Sequence, residues 1–335
     1  MTIGIHSFLY NNQNIKKMFG ILWNIDTDNK DINKQDDNGN TPLIWAVREG
    51  KKKQVMRFLQ HPHIDVNIKN KNNECALSYA CHVTLPDYDC GIIVELLKHP
   101  HIDVNCMTNC NGNMHNVIFS VAIGVCVYED MLNVFDIMVK KKDLDVNAYV
   151  IADGLTMRLI EYICKLCCSG YHRMSFAMLK MLLVREDIIV PHNILRYFEN
   201  MEVTSMRMVG CLIDRFDVDV NQRIGRNQDT IMHLLIMHAA QVRNIMKCFE
   251  EGFVVYFRGD YDGDGNFIYN DSLLNEIGKI INNILSRSVS NPLNKNVFDI
   301  NSTNKNGESC MYLASKNGFI GLVQDMLKIE NVFIE

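Results

Sequence analysis

The chain has 335 residues, of which 47% are hydrophobic and 22% charged, and its formal net charge is −5 at pH 7. This apolar content is sufficient for a continuous core and argues against disorder. The negative charge gives no general reason to expect nucleic acid or an acidic membrane as partner. Met1–Tyr10 lacks the basic start and apolar centre of a signal peptide, and the twelve cysteines form no paired framework. We therefore expect a cytoplasmic protein that does not bind membranes.

The first predicted element is an apolar helix, Ile15–Trp23, and Asp31-Ile32-Asn33 follows it. The same Asp-x-Asn close recurs later in the chain. Residues 1–35 are therefore interpreted as a degenerate N-terminal capping repeat.

Residues 36–67 form the best-defined unit of the sequence. Asp37-Asn38-Gly39-Asn40 predicts a tight turn, because Gly39 tolerates a positive φ. Thr41-Pro42 predicts a helix start, with Thr as cap and Pro at the first helical position, and Gly50 predicts the helix end. Val55–Leu59 predicts a second helix. The unit is a turn, two helices and a loop in about 33 residues.

The motif Gly39-Asn40-Thr41-Pro42-Leu43, followed by Ala46, Gly50 and Asp65-Val66-Asn67, resembles the ankyrin repeat. Ile44 departs from the family pattern, which usually has His there. The resemblance implies an all-α ankyrin-repeat solenoid with a concave binding surface.

Imperfect copies of the unit continue to the C-terminus. The phrase His-Pro-His-Ile-Asp-Val-Asn stands at both 61–67 and 99–105, which indicates duplication. We predict about seven to eight helix-turn-helix repeats in one solenoid, residues 1–335, with one long insertion in the sixth full repeat. The predicted divisions are repeats at 36–239, an insertion at 240–272 and C-terminal repeats at 273–335.

The resemblance also implies which residues contact a partner, because ankyrin repeats bind through their turn tips and the outward positions of each first helix. Trp45 and Tyr79 stand out, since aromatic residues and Arg are common energetic anchors of interfaces. Packing of Trp45 under an adjacent turn is the alternative. The predicted protein-binding residues are Gln35, Asp37, Asn38, Asn40, Trp45, Arg48, Lys69, Lys71, Asn72, Glu74, Ser78, Tyr79 and His82.

Residues 260–271 of the predicted insertion resemble an EF-hand calcium loop. The oxygen ligands would be Asp260, Asp262, Asp264, Asn266 and Asp271. Asp in place of Glu at the last position shortens the reach for bidentate binding, and a strand-like segment precedes the loop. The alternative is an exposed Asp-Gly-rich hairpin turn.

The ankyrin resemblance implies two candidate sites of asparagine hydroxylation, Asn67 and Asn105. Each follows Asp-Val and has Leu eight residues earlier. The alternative is that Asp-Val-Asn is only the turn chemistry of the repeat.

No catalytic motif is present, so we predict a non-enzymatic module for protein–protein interaction without a required cofactor. The cysteine and histidine groups at 106–115 and 164–172 lack the spacing of a zinc site and are interpreted as packing residues. The composition and divergent repeats resemble ankyrin proteins of large DNA viruses of amoebae, or of intracellular bacteria. This resemblance implies host–virus interaction or an effector role, with a monomeric chain binding a host protein in the host cytoplasm. The alternatives are a Ca²⁺-responsive switch at 260–271 and a self-associating structural protein.

Overall fold

The computed structural model divides the chain into two compact units, unit 1 (Met1–Thr156) and unit 2 (Met157–Glu335). Helices make up 54% of the structure, in agreement with an all-α repeat fold. The predicted capping helix Ile15–Trp23 lies outside the described part of the chain. The structure describes residues 32–81, 90–110, 113–152, 155–168, 172–199, 203–213, 218–250, 271–290 and 298–329.

The described part of unit 1 consists of consecutive helix pairs joined by turns and short hairpins. Its elements are α1 (Pro42–Arg48), α2 (Lys52–Leu59), α3 (Ala76–Ala80), α4 (Cys90–Lys98), β1 (Met107–Cys110), β2 (Asn113–Asn116), α5 (Val117–Val125), α6 (Met131–Val139), β3 (Tyr149–Ala152) and the start of β4 (Leu155–Arg158).

Helix α1 begins and ends where the sequence predicts. Thr41 Oγ1 accepts the Ile44 N–H at 3.2 Å, and Pro42 occupies the first helical position. Gly50 takes a φ of +63° just after the helix, a conformation that favours glycine. The following helix, α2, buries Val55 and Phe58.

The helices of unit 1 pack as neighbours in a repeat array. Each pair packs within itself, α1 on α2, α3 on α4 and α5 on α6. Between pairs, α1 packs on α3, α2 on α4, and α4 on α6. Burial of each apolar face against the neighbouring pair is the source of stability in such arrays.

Hairpins with regular strands replace the tight turn in the third and fourth copies. Strands β1 and β2 are antiparallel, with Met107 opposite Asn116 and Cys110 opposite Asn113. Strands β3 and β4 form a second two-stranded sheet. These copies lack Thr-Pro, and Asn116 instead caps α5 by accepting the Ile118 N–H at 3.1 Å.

The described part of unit 2 continues the pattern of paired helices. Its elements are α7 (Leu159–Cys168), α8 (His172–Leu183), a 3₁₀ helix (Ile194–Tyr197), α9 (Val203–Ile213), α10 (Ile231–Glu250), α11 (Asp271–Ser290), α12 (Cys310–Lys316) and α13 (Ile320–Met326).

In unit 2, too, each pair of helices packs against the next pair. Helix α7 packs on α8 and on the 3₁₀ helix, while α9 packs on α8 and α11. Helix α10 packs on both α11 and α12, and α12 packs on α13. Helix α10 continues to Glu250, so the part of the predicted insertion from 240 to 250 is helical.

Most of the buried side chains are apolar. The largest of those that are fully buried include Phe119 and Phe135 in unit 1 and Phe198 in unit 2. Within the described residues, no helix combines the length and the apolar character needed to span a bilayer.

Candidate protein-binding surface

The first hairpin of unit 1 is closed around the side chain of Asp36. Its Oδ1 accepts the backbone N–H groups of Asn38 and Asn40 at 2.9 and 2.7 Å. The Gly39 N–H donates to the Asp36 carbonyl at 2.9 Å, and Gly39 has a φ of +80°. The turn is therefore held by short-range bonds that any solvent-exposed sequence of this pattern can make.

Asn70 closes the second hairpin in the same way and joins it to the first. Its Oδ1 accepts the Asn72 and Glu74 N–H groups at 2.9 and 3.0 Å. Its Nδ2 donates to Asn40 Oδ1 at 2.9 Å, and the Lys71 N–H donates to the carbonyl of the preceding hairpin at 3.0 Å. Asn70 is thus the central residue of two adjacent hairpins.

Asn304 repeats this arrangement in unit 2. Its Oδ1 accepts the Asn306 and Glu308 N–H groups, each at 3.0 Å. Its Nδ2 donates to Asp229 Oδ1 at 3.0 Å, and the Lys305 N–H donates to the Asn227 carbonyl at 2.8 Å. The hairpin before α12 therefore bonds to the hairpin before α10.

Trp45, Arg48 and Tyr79 form an aromatic cluster on α1 and α3. The Trp45 ring is 7% exposed, and its Nε1–H donates to Asp36 Oδ2 at 2.9 Å. The Arg48 guanidinium carbon lies 4.9 Å from the Trp45 ring centroid and 5.9 Å from that of Tyr79. The structure therefore favours packing for Trp45 and leaves Arg48 and Tyr79, both half-buried, as the accessible part of the aromatic cluster.

The predicted contact residues fall into an exposed and a buried group. The exposed ones are Gln35, Asp37, Asn38, Lys69, Lys71 and Asn72. The buried ones, besides Trp45, are Asn40, Glu74 and Ser78. His82 lies outside the described residues.

The burial of Asn40, Glu74 and Ser78 has a structural cause in each case. Asn40 accepts the bond from Asn70, and Glu74 Oε2 lies 3.4 Å from Asn70 Nδ2. Ser78 Oγ accepts the Cys75 N–H at 2.8 Å and donates to the Cys75 carbonyl at 2.9 Å. These three side chains hold the hairpins and the start of α3, and each is at most 8% exposed.

The closing Asp-x-Asn motif forms a second row of bonds between repeats. Asn67 Nδ2 donates to the His101 carbonyl at 2.6 Å, and Asn67 Oδ1 accepts the Asp103 N–H at 2.8 Å. Asn105 makes the equivalent bonds to the Asp143 carbonyl and the Asp145 N–H at 2.6 and 2.8 Å.

The two candidate hydroxylation sites are therefore residues that join one repeat to the next. Asn67 and Asn105 each use both the donor and the acceptor of the amide. The turn-chemistry alternative accounts for the motif without any modification, and hydroxylation remains a prediction.

In unit 2 the same motif bridges a longer stretch of chain. Asn221 Oδ1 accepts the Asp299 N–H at 2.7 Å across 78 positions. In unit 1 the equivalent bond from Asp103 to Asn67 spans 36 positions. The chain between Asn221 and Asp299 therefore includes α10, residues 251–270 and α11.

His233 lies in the first turn of α10 and bonds to the hairpin before α12. Its Nδ1 lies 2.7 Å from Thr230 Oγ1, and its Nε2 lies 3.0 Å from the Glu308 carbonyl oxygen. Burial lowers the pKa of His233 and thus favours the neutral ring in the folded chain. It acts as a hydrogen-bond bridge.

The predicted calcium ligands Asp260, Asp262, Asp264 and Asn266 lie outside the described residues, and Asp271 is the first residue of α11. No cluster of three metal-ligating side chains occurs among the residues that are described.

His115 Nε2 lies 3.0 Å from Ser120 Oγ, and Cys106 and Cys164 are buried. These positions agree with a packing role.

The central residues of the hairpins, Asn70 and Asn304, were not predicted from the sequence. A usable signal exists, because Asp36, Asn70 and Asn304 each stand five residues before the N-cap of a first helix. The motif quoted in the sequence analysis begins at Gly39 and does not include this position.

The paired helices, the bonded hairpins and the Asn rows define a helical repeat protein. A family model described as ankyrin repeats, in three copies, matches residues 8–108. A search of curated proteins finds no match. Ankyrin repeats are generally protein–protein interaction modules.

Proposed function

We propose that this chain is a non-enzymatic module that binds another protein through the hairpins and first helices of its N-terminal repeats. The observation that carries the proposal is the aromatic cluster of Trp45, Arg48 and Tyr79. Trp45 fixes the position of Arg48, so the accessible guanidinium and the Tyr79 ring are ordered before a partner arrives. Preorganised Arg and aromatic groups lose little side-chain entropy on binding.

A rim of exposed polar residues lies beside the aromatic cluster. We define the hairpin edge as Lys34, Gln35, Asn38, Lys69 and Lys71. Gln35 Nε2 donates to the Lys69 carbonyl at 2.9 Å, and Lys71 bonds to Asn38 through the backbone. An anchor flanked by a polar rim is the usual anatomy of a protein interface.

The finer features of the proposal concern the array and its partner. We propose a single array of seven to eight repeats, with an insertion between α10 and α11 in the sixth. The resemblance to ankyrin proteins of large DNA viruses of amoebae, or of intracellular bacteria, supports a host protein as partner in the host cytoplasm. The calcium-switch and self-association alternatives remain predictions of the sequence.

The proposal predicts that the double substitution Arg48→Ala with Tyr79→Ala weakens partner binding by about thirtyfold or more, because truncating even one interface anchor of these types costs about 2 kcal/mol of binding free energy and such costs are not additive. The measurement is affinity capture from amoebal lysate, followed by a titration of the captured partner against the purified chains. Trp45 is left in place because its substitution would remove buried packing.

A matched control carries Arg57→Ala with Tyr128→Ala, which removes the same residue types from other surface positions of unit 1. This control should bind as the wild type does. Equal affinities for all three chains would place the binding site elsewhere and refute the proposed surface.

A further inference from the structure

The charge of the described N-terminal repeats is opposite to that of the whole chain. Residues 32–81 contain eight Lys and Arg and five Asp and Glu, whereas the chain as a whole has a net charge of −5. The described start of unit 1 is therefore a basic region on an acidic protein. Such local asymmetry determines which partners are attracted.

Two of the five acidic side chains of this region, Asp36 and Glu74, are half-buried or buried in the hairpins, whereas Asp37, Glu49 and Asp65 are exposed. Asp36 accepts two backbone N–H groups and the Trp45 Nε1–H. Asp65 Oδ1 accepts the Asn67 N–H at 3.0 Å, and Glu74 is 8% exposed. Carboxylates held by N–H donors or buried have less influence on an approaching partner than exposed ones.

The lysine side chains of the hairpin edge, in contrast to Asp36 and Glu74, are exposed. Lys34, Lys69 and Lys71 are exposed on the hairpin edge, and none of the three forms an ion pair within the part of the chain that the structure describes. Asp37 is the exposed carboxylate among them. Arg48 adds a positive charge at the adjacent aromatic cluster. The hairpin edge and the aromatic cluster are therefore basic.

We infer that the partner presents an acidic protein segment to the hairpin edge, with its carboxylates beside Lys69 and Lys71 and its remaining contacts on Arg48 and Tyr79. This inference rests on the proposed function and specifies the chemistry of the partner. Exposed charge pairs contribute modestly to affinity, so the lysines act mainly on association rate and partner choice. A long nucleic acid is disfavoured, because nucleotides that extend beyond residues 32–81 would be repelled by the negative net charge of the protein.

The test uses a fluorescein-labelled hexaglutamate peptide, with hexaglutamine as its uncharged counterpart, and the full-length chain. Anisotropy titrations at about 0.05 M and about 0.3 M NaCl measure binding under weak and strong screening. Hexaglutamate should bind at low salt and weaken at high salt, whereas hexaglutamine should not bind. Lys69→Glu with Lys71→Glu should weaken hexaglutamate binding by about tenfold or more at low salt.

A control with the same change in net charge carries Lys142→Glu and Lys279→Glu, two exposed lysines that are not among the residues of the hairpin edge. It should retain hexaglutamate binding. Lys69→Gln with Lys71→Gln gives an intermediate loss and serves if the Glu variant misfolds, as judged by circular dichroism. Equal weakening in the control, or no hexaglutamate binding at low salt, would overturn the inference.

Two further titrations distinguish an acidic protein segment from a nucleic acid and from a second copy of the chain. Tighter binding of hexathymidylate than of hexaglutamate would point to nucleic acid and overturn the inference. Dimerisation that the Lys69→Glu, Lys71→Glu variant abolishes would identify a second copy as the occupant and also overturn it. Capture of a partner that depends on Arg48 and Tyr79 but not on the lysines would leave the proposed function standing while the acidic-segment inference fails.

Discussion

Asn304→Asp should destabilise unit 2 by about 3 kcal/mol, more than Asn70→Asp destabilises unit 1. Both substitutions keep the acceptor that closes the turn and replace the amide donor by a second carboxylate oxygen. At Asn304 that oxygen would face Asp229 Oδ1, now 3.0 Å away, and Glu308 Oε2, now 3.2 Å away. The new carboxylate would therefore lie beside two others in a buried hairpin, and the three negative charges would repel one another strongly.

At Asn70 the equivalent neighbour is the amide of Asn40 in place of a carboxylate. The Asn40 amide can rotate so that its Nδ2 donates to the new carboxylate. Glu74 remains nearby, so we expect a loss of about 1 kcal/mol. Urea denaturation followed by circular dichroism measures both losses, and tryptophan fluorescence reports unit 1, which holds both Trp23 and Trp45.

Asn70→Ala and Asn304→Ala are the matched controls, because each removes the same two acceptor bonds and one inter-hairpin donor. Both should lose about 2 kcal/mol. If the two Asp variants are destabilised equally, the contrast between Asn40 and Asp229 has no energetic consequence and this description of the hairpins is wrong.

Unit 2 should also lose stability as the pH falls below about 6.5, the ordinary pKa of histidine. Burial lowers the pKa of both His233 and His238. For His233, Arg223 acts in the same direction, while the Glu308 carbonyl bond and the Asp229 charge oppose it. The unfolded chain therefore binds protons at a higher pH than the folded chain does, and acid favours unfolding by up to about 1.4 kcal/mol per pH unit for each histidine.

Variants of the two histidines separate their contributions. His238 Nε2 is buried without a hydrogen-bond partner in the described structure, so His238→Leu should keep or raise stability at pH 7.5 and reduce the acid dependence. His233→Leu should reduce the acid dependence and also cost about 2 kcal/mol at pH 7.5, because it breaks the bridge to Glu308. Urea denaturation from pH 7.5 to 5 measures both effects, and an unchanged slope in His238→Leu would refute the prediction.

The sequence predicted the local starts and stops of the helices where they depend on backbone chemistry. Thr41-Pro42 begins α1, and Gly50 follows its end with a φ of +63°. Caps and turns are decided by a few neighbouring residues, so they can be read from a single chain. The strands of the third and fourth hairpins were not predicted, because their copies lack these signals.

The candidate site was predicted less completely, because burial depends on the neighbouring repeat. The family register places Asn40, Glu74 and Ser78 at contact positions, but bonds to Asn70 and Cys75 hold them inside. Likewise, the sequence leaves both packing and partner contact open for Trp45. In the structure Trp45 is buried and its Nε1–H donates to Asp36. Hydrogen bonds between residues about 30 positions apart depend on how the repeats stack, so a local sequence pattern does not predict them.

Hydrogen exchange of the chain with and without its captured partner tests the central claim most directly. The proposed surface predicts that the partner slows exchange of backbone amides within residues 34–40 and 69–74 and around Arg48 and Tyr79. The second helices α2 and α4 should keep the exchange rates of the free chain. Protection confined to α2 and α4, with residues 34–40 and 69–74 unchanged, would contradict the assignment of function to this surface.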